Sequence, residues 1–219
     1  MFFTKRPIPP SSITPCFFRI QKEDEDKLLS VEEFEALMDV SFIPKLDFSD
    51  FSRLEKITKK TLKFHKKKQL SRSQLWWGSY FKEQIMNPAQ LPLAIRWIDQ
   101  QLGWGVFSTS LLKKMTFIGE YAGKVRKRRG VDTKNAYCFE YQMAEGVDSP
   151  YVVDAREQGG VIRFINHSKT PNLTSMLATF NGISHIIFVA KEPIPAGTQL
   201  LYDYGENYWT YRPHPRNLS

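Results

Sequence analysis

The apolar positions of this chain follow two rhythms. Between Ser30 and Met86 they recur at spacings of three and four, the repeat of one helix face; from Leu91 onward they fall in short runs parted by Gly, Pro, Asn and Asp. In the first part, "LSVEEFEALMDV" predicts a helix capped by Ser30, with Glu33 closing a capping box and Leu29 and Phe34 placed as a hydrophobic staple. Pro44 bars any helical continuation. A second helix is expected from Ser49 or Asp50, with Phe51, Leu54, Ile57, Thr61 and Phe64 on its apolar face. A third is expected over "SRSQLWWGSYFKEQIM", with Ser71 and Gln74 as another capping pair. Residues 21–86 thus read as an α-helical region, preceded by a proline-rich, irregular stretch over 1–20 and ended by "NPAQLP".

The second part reads as strands: "LPLAIRWI", "GVFST", "TFIGEYAGKV", "AYCFEYQ", "YVVDA", "ISHIIFVAKEPI" and "QLLYDYG" are short and rich in β-branched or aromatic residues. The fold class expected is α+β, an N-terminal helical region followed by a β-rich unit of small curved sheets. One stretch breaks the pattern. "VIRFINHSKTPNLTS" begins with the apolar residues Val161, Ile162, Phe164 and Ile165, then turns polar at Asn166, His167 and Ser168. Polar side chains at the edge of a core need partners, so this segment is a candidate site.

Composition narrows the classes. With 42% hydrophobic and 14% aromatic residues in 219, the chain has enough material to bury a core, which argues against disorder throughout. No apolar run approaches the ~18 residues of a membrane span, so no membrane contact is expected. Pro7, Pro9, Pro10 and Pro15 break up any signal-peptide core, which argues against Sec-type export. Cys16 and Cys138 make neither a disulfide framework nor a zinc pair, and a reducing compartment fits them. The net charge of +8 is clustered in "LKFHKKKQLSR" and "KVRKRRG", whose runs Lys63–Lys68 and Arg126–Arg129 suit phosphate backbones or, more plainly, a solvated face.

Four pieces of the β-rich half carry polar chemistry: Gly103-Trp104-Gly105, Glu120-Tyr121, Arg163 to Asn172, and Tyr202-Asp203-Tyr204-Gly205. Each is weak alone. In this order, from about Leu91 to Trp209, they resemble the SET domain of protein lysine methyltransferases. "GWGVF" is similar to that family's Gly-x-Gly cofactor loop, "GEYAGKV" to its Glu-Tyr-x-Gly strand, "YVVDAREQGGVIRFINHSKTPN" to its Asn-His-Ser block, and "GTQLLYDYGENYW" to the segment with its catalytic tyrosine.

The resemblance implies a knot-like threading of the C-terminal segment past the Asn-His segment, and transfer of a methyl group from S-adenosylmethionine to a lysine amine. It assigns Tyr204, with Tyr121 and Tyr202, to catalysis. It assigns Gly103, Trp104, Gly105, Tyr137, Arg163, Phe164, Asn166, His167, Tyr204 and Tyr208 to the cofactor, and Tyr121, Tyr202, Tyr204 and Trp209 to the lysine channel. Tyr202 stands at the family's Phe/Tyr switch position, which implies mono- or dimethylation. Domains are expected at 1–20 (irregular), 21–90 (helical, basic), 91–209 (SET) and 210–219 (tail).

The chain departs from the family in three places. Lys169 replaces the Cys that often follows Asn-His-Ser, and the tail "TYRPHPRNLS" has no cysteine, so no structural zinc is expected and Trp209, Tyr211 and the tail are candidates to close the channel. Gln199 stands where Glu is common. The implied substrate is a histone or a lysine-rich, histone-like DNA-binding protein, with the basic runs touching DNA or a nucleosome. Alternatives are a SET fold without catalysis that binds chromatin or nucleic acid, and a methyltransferase for a non-histone protein. Oligomeric state is open, a dimer being one option. Similar compact proteins place it in the nucleus of a eukaryote, or in the cytoplasm of an intracellular bacterium or, secreted, in its host's nucleus.

Overall fold

The computed structural model describes residues 17–210 and 212. Most of the expected irregular stretch (1–16, with Cys16) and of the cysteine-free tail (211 and 213–219, with Tyr211) lies outside them. In chain order the elements are strands β1 (Phe18–Lys22) and β2 (Glu25–Leu29), helix α1 (Val31–Met38), strand β3 (Ser41–Phe42), and helices α2 (Phe51–Lys66), α3 (Arg72–Tyr80) and α4 (Lys82–Met86). Strands β4 (Leu93–Asp99), β5 (Gly103–Ser108), β6 (Phe117–Glu120), β7 (Lys124–Lys127), β8 (Cys138–Glu140), β9 (Tyr151–Asp154) and β10 (Gln158–Gly159) follow. The chain closes with β11 (Asn166–His167), β12 (Leu173–Phe180), β13 (Ile183–Ala190), β14 (Leu201–Tyr202) and the single turn α5 (Glu206–Trp209).

The strands make small sheets: β2-β1-β4-β5, β12-β13-β6, β7-β9-β8, and the pairs β10-β3 and β11-β14. The β1–β2 hairpin corrects the reading of 21–86 as helical. Phe18 and Ile20 alternate into the core, and β1 lies parallel to β4 with Ile20 opposite Ile95. The polar sequence of β2 concealed it, because its pairing partner lies across the hairpin, where Arg19 grips Asp26 at 2.8 and 2.6 Å. This hairpin therefore shares a sheet with the Gly103–Gly105 strand.

Helix starts follow local chemistry. Ser30 Oγ accepts from the Glu33 amide and Glu33 Oε2 from the Ser30 amide, a complete capping box. Asp50 caps α2 by accepting from the Ser52 amide. Ile57 and Thr61 of α2 are buried, with Leu54 and Phe64 beside them, but Phe51 is 81% exposed and leaves the expected apolar face. Ser71 caps α3, yet Gln74 does not reciprocate. Its side chain is buried instead, donating to Thr179 Oγ1 at 2.5 Å and to the Met143 carbonyl at 3.2 Å.

That amide sits where α3 lies flat against β12. The close approach requires Gly78: a Cβ there would overlap the Thr179 carbonyl oxygen and stand 2.9 Å from the Thr179 nitrogen. Backbone on both sides has little room to yield. Gly78→Ala is expected to cost about 2 kcal/mol, the overlap outweighing the ~1 kcal/mol of helix propensity that Ala returns. Gly130→Ala, where a Cβ meets nothing within 4 Å, is the control and is expected to melt with wild type. Equal melting temperatures for the two variants would contradict the close packing.

Strand β12 was absent from the expected strands. It pairs with β13 over its full length, Leu173 opposite Ala190 to Phe180 opposite Ile183. The turn between them is Asn181-Gly182, at φ 50 and 76, the two positive values of a type I′ hairpin.

Candidate active site

Three short segments converge on Tyr204. The run Val161–Phe164 folds as a single 3-10 turn, not as an extended strand, and delivers Asn166 and His167 to β11. Strand β11 then pairs in parallel with β14, Asn166 opposite Leu201 and His167 opposite Tyr202. Asn172 fastens the return: its side chain donates to the Gln199 carbonyl at 2.8 Å and accepts from the Leu201 amide at 2.9 Å. The polar residues that interrupt the apolar run are therefore spent on joining two distant segments.

Tyr204 is held from two sides. Its amide donates to His167 Nδ1 at 3.1 Å, which leaves the His167 proton on Nε2. Its hydroxyl donates to the Ile165 carbonyl at 2.8 Å. Burial pushes the Tyr204 hydroxyl well above the ordinary tyrosine value, with Tyr208 and Tyr137 adding to it, so the group stays protonated and acts as a donor. Burial raises Tyr121 and Tyr202 likewise.

A cavity of about 800 Å³ opens beside these rings, and Tyr121, Tyr202, Tyr204 and Tyr208 all line it. Tyr121 is fixed by its hydroxyl, which donates to the Tyr137 carbonyl at 3.0 Å. Tyr202 lies 4.6 Å from Tyr204 and 4.7 Å from Phe188, ring centre to ring centre. Tyr208 meets Tyr204 edge-on at 4.6 Å. Trp209, expected in the channel, lies outside that lining; it stacks 6.0 Å from Tyr204 and packs 4.9 Å from His167. The two are consecutive residues of α5, about 100° apart around its axis, which sends Tyr208 to the cavity and Trp209 against His167.

The remaining expected cofactor residues do not line this cavity. Asn166 Nδ2 donates to the Trp104 carbonyl at 3.2 Å, tying β11 to the Gly-x-Gly strand. Gly103 has φ +68 with nothing within 4 Å of a built Cβ, so its backbone faces open space. Gly105 differs: a Cβ would come within 2.7 Å of Ile98 Cδ1, 2.8 Å of Gln199 Nε2 and 3.2 Å of Asn166 Nδ2. Its missing side chain makes room for the protein's own amides. Among the described residues, Gln199 Nε2 is the buried side-chain nitrogen left without a hydrogen-bond partner.

Arg163 donates to the carbonyls of Ala155 and Arg156 and lies over Tyr137 at 4.0 Å and Phe164 at 4.8 Å. Phe164 itself is 8% exposed and meets Phe34 of α1 edge-on at 6.0 Å. It is part of the core.

Two features near the site went unread in the sequence. Glu120, buried beside Tyr121 in the chain, meets His185 Nδ1 at 2.6 Å across β6 and β13. The basic run Arg126–Arg129 is partly internal. Arg126 grips Asp132 at 2.8 and 2.6 Å and Asp154 at 2.9 and 2.7 Å, while Arg128 pairs with Glu140 at 3.3 Å. Arg126 is thus withdrawn from any surface contact, a correction to its expected place in a DNA-facing run; it is covered by Asp132, six residues on, and Asp154 across the sheet, which charge counting cannot register. Cys138 lies beside this cluster with its thiol pushed up to about 12, by burial first and then by Asp154 and Asp132. No cluster of three or more His, Cys, Asp or Glu side chains suited to a metal occurs among the described residues.

Residues 103–205 match the family described as the SET domain. The histone-lysine N-methyltransferase Su(var)3-9 of Drosophila melanogaster is 30% identical over 132 residues, covering 55% of this chain and 21% of that protein. The histone-lysine N-methyltransferase EHMT1 of Mus musculus is 35% identical over 116 residues, covering 50% of this chain and 9% of that protein. A crystal structure of KRYPTONITE in complex with mCHH DNA, H3(1-15) peptide and SAH aligns with TM-score 0.47 and 27% identity, covering 55% of this chain and 24% of that one. This chain spans about a fifth or less of the length of these curated relatives. The Gly-x-Gly strand, the Asn-His segment and the Tyr204 segment all fall inside residues 103–205, the stretch over which this chain is similar to the SET domain.

Proposed function

We propose that this chain is a protein-lysine N-methyltransferase using S-adenosylmethionine, acting on a histone or a similar lysine-rich DNA-binding protein. The observation that carries the reading is Tyr204, whose protonated hydroxyl sits at the meeting point of the Asn-His segment and a tyrosine-lined cavity. The residues around Gly103 fit such a cofactor. The backbone there faces open space, and Gln199 Nε2 is a buried donor awaiting an acceptor. When bound, the cofactor supplies a methyl group on a sulfonium centre.

The chain's own residues do the rest. A free lysine has a pKa near ~10.4, so presenting the neutral amine at pH 7 costs roughly 4–5 kcal/mol. Tyr121 and Tyr202, 4% and 7% exposed, wall the cavity with dry aromatic surface that disfavours the ammonium form. Tyr204, its one hydroxyl proton donated to the Ile165 carbonyl, keeps its oxygen lone pairs for the amine, which they orient, and for the positive charge of the transition state. Asn166 holds Trp104, and His167 holds the Tyr204 backbone, so both sides of the site are fixed before substrate arrives. The parallel β11–β14 pairing supports the knot-like threading.

Tyr202 is assigned to limiting the product to mono- or dimethyl-lysine, since its hydroxyl occupies room a larger amine needs. Tyr202→Phe is expected to raise the methylation state, read by mass spectrometry of the product. Predominantly trimethylated product from the wild type would end that assignment. The central experiment is transfer of label from S-adenosylmethionine to nucleosomes and to histones without DNA, with a cofactor titration alongside. Label on either substrate supports the proposal. Cofactor binding without label on any protein of a cell extract, or no cofactor binding at all, would overturn it in favour of a SET fold without catalysis.

A further inference from the structure

The charge of this chain is not spread over its surface. Residues 51–68, helix α2 and the two residues after it, hold seven lysines and Arg53 against the single acid Glu55. That segment carries +7 of the net +8, so the rest of the chain sums to +1. All seven lysines are exposed, and among the described residues only Lys59 has a carboxylate in reach, Glu55 at 2.8 Å. Arg53 is different. It donates to the carbonyls of Phe48 and Val125 and so ties the first turn of α2 to β7, whose continuation, Arg128 and Arg129, lines the tyrosine cavity. The lysine face is therefore fixed in place relative to the active site.

We propose that this lysine face of α2 docks the phosphate backbone of duplex DNA, holding the cavity against lysines of proteins already bound there. The inference rests on the protein-lysine methyl transfer proposed above for its purpose, though not for its test. A 16-residue helix is about 24 Å long, and duplex DNA carries a charge every ~1.7 Å, so that length offers about 14 phosphates, roughly half on the side facing the helix. Seven lysines match that number. A folded acidic protein rarely concentrates as many carboxylates in one strip. A membrane surface fits less well, because the helix spends its apolar stripe, Ile57 and Thr61, on its own core and leaves only Phe51 and Leu62, three turns apart, exposed, too little for an apolar face to insert. Half of the exposed residues of α2 are lysines, with no Asn, Gln or free Arg to read base edges, so the docking is independent of base sequence.

The test is binding of the full chain to a labelled mixed-sequence duplex of about 30 base pairs across roughly 50 to 200 mM salt. Wild type is expected to bind with log K falling against log salt at a slope of about −4 or steeper. The variant Lys60→Gln/Lys63→Gln/Lys66→Gln/Lys67→Gln is expected to lose about 3 to 4 of that slope and at least ~30-fold in affinity at low salt, at an unchanged melting temperature. If the fourfold variant melts early, the pairs Lys60/Lys63 and Lys66/Lys67 are tested separately, each expected to remove about 2 of the slope. An unchanged slope in the variants overturns the proposal, as does wild type preferring polyglutamate or phosphatidylserine vesicles over duplex at equal salt. Binding is read without methyl transfer, so an inactive chain that still binds DNA through α2 would leave the docking surface standing while the enzymatic reading falls.

Discussion

Tyr204→Phe is expected to lower methyl transfer at least ~100-fold while leaving S-adenosylmethionine affinity within about threefold. The ring keeps its place, because its contacts with Tyr202 and Tyr208 and the amide bond to His167 do not involve the hydroxyl. What is lost is a donor 2.8 Å from the Ile165 carbonyl, at the point where the two walls of the site meet. Loss of that bond alone costs only about 1 kcal/mol of stability, so a variant that melts near wild type yet fails in single turnover separates chemistry from folding. Since burial holds the Tyr204 hydroxyl protonated far above neutrality, the wild-type rate is expected to rise with pH as substrate lysine loses its proton, with no downturn from Tyr204. A Phe variant retaining more than about a tenth of the rate would remove Tyr204 from the reaction.

The second large effect is on stability. Arg126→Gln is expected to cost about 3 to 5 kcal/mol, because it strands two carboxylates whose side chains are 7% and 20% exposed. For a domain of this size that lowers the melting temperature by roughly 6 to 20 °C. The pH dependence carries the signature. Hydrogen bonds from Arg126 hold Asp132 below the usual carboxylate range. Burial pushes Asp154 up, but Arg126 and Asn135 outweigh it, and Asp154 also ends below that range. Both groups therefore stabilise the fold above the unfolded carboxylate pKa of ~3.9 and lose that contribution as pH falls through their lowered values. The gap between wild type and variant should be full at neutral pH and narrow below about pH 4. A gap that stays constant through that range would mean the cluster contributes by packing rather than by charge.

What was legible in the sequence was what acts over short distances. The caps at Ser30, Asp50 and Ser71 join a side chain to a backbone amide two or three residues on, and each stands in the fold. The Gly-x-Gly, Asn-His and Tyr-Asp-Tyr pieces carry their residue types openly, and the fold brings them together around His167 and Tyr204. Long-range partners were not legible. Strand β2 is charged and becomes a strand through Arg19 and its neighbour β1. Strand β12, with Leu, Met and Ala, reads as well for a helix; the Asn181-Gly182 pair was the signal that named it a hairpin arm. Gln74 follows Ser71 at capping distance, yet its amide is claimed by Thr179 and Met143 far along the chain. The neighbours of Phe164 and Gly105, Phe34 and the Gln199 and Asn166 amides, lie far along the chain and were not legible either. The acceptor for Tyr204, the Ile165 carbonyl, is backbone and leaves no trace in residue type.

The parallel contact of β11 with β14 has a consequence for how this protein gains and loses its activity. It joins segments separated by the whole β12–β13 hairpin, and what rewards the closing of that long loop is two residue pairs and the bonds of Asn172, His167 and Tyr204. The hairpin needs no such closure and folds on local contacts. During synthesis the chain thus acquires its hydrophobic centre first and its pocket last, once residues near 204 have emerged. On warming the order reverses: the pocket opens while the hairpin still stands, and turnover fades before the melting transition begins.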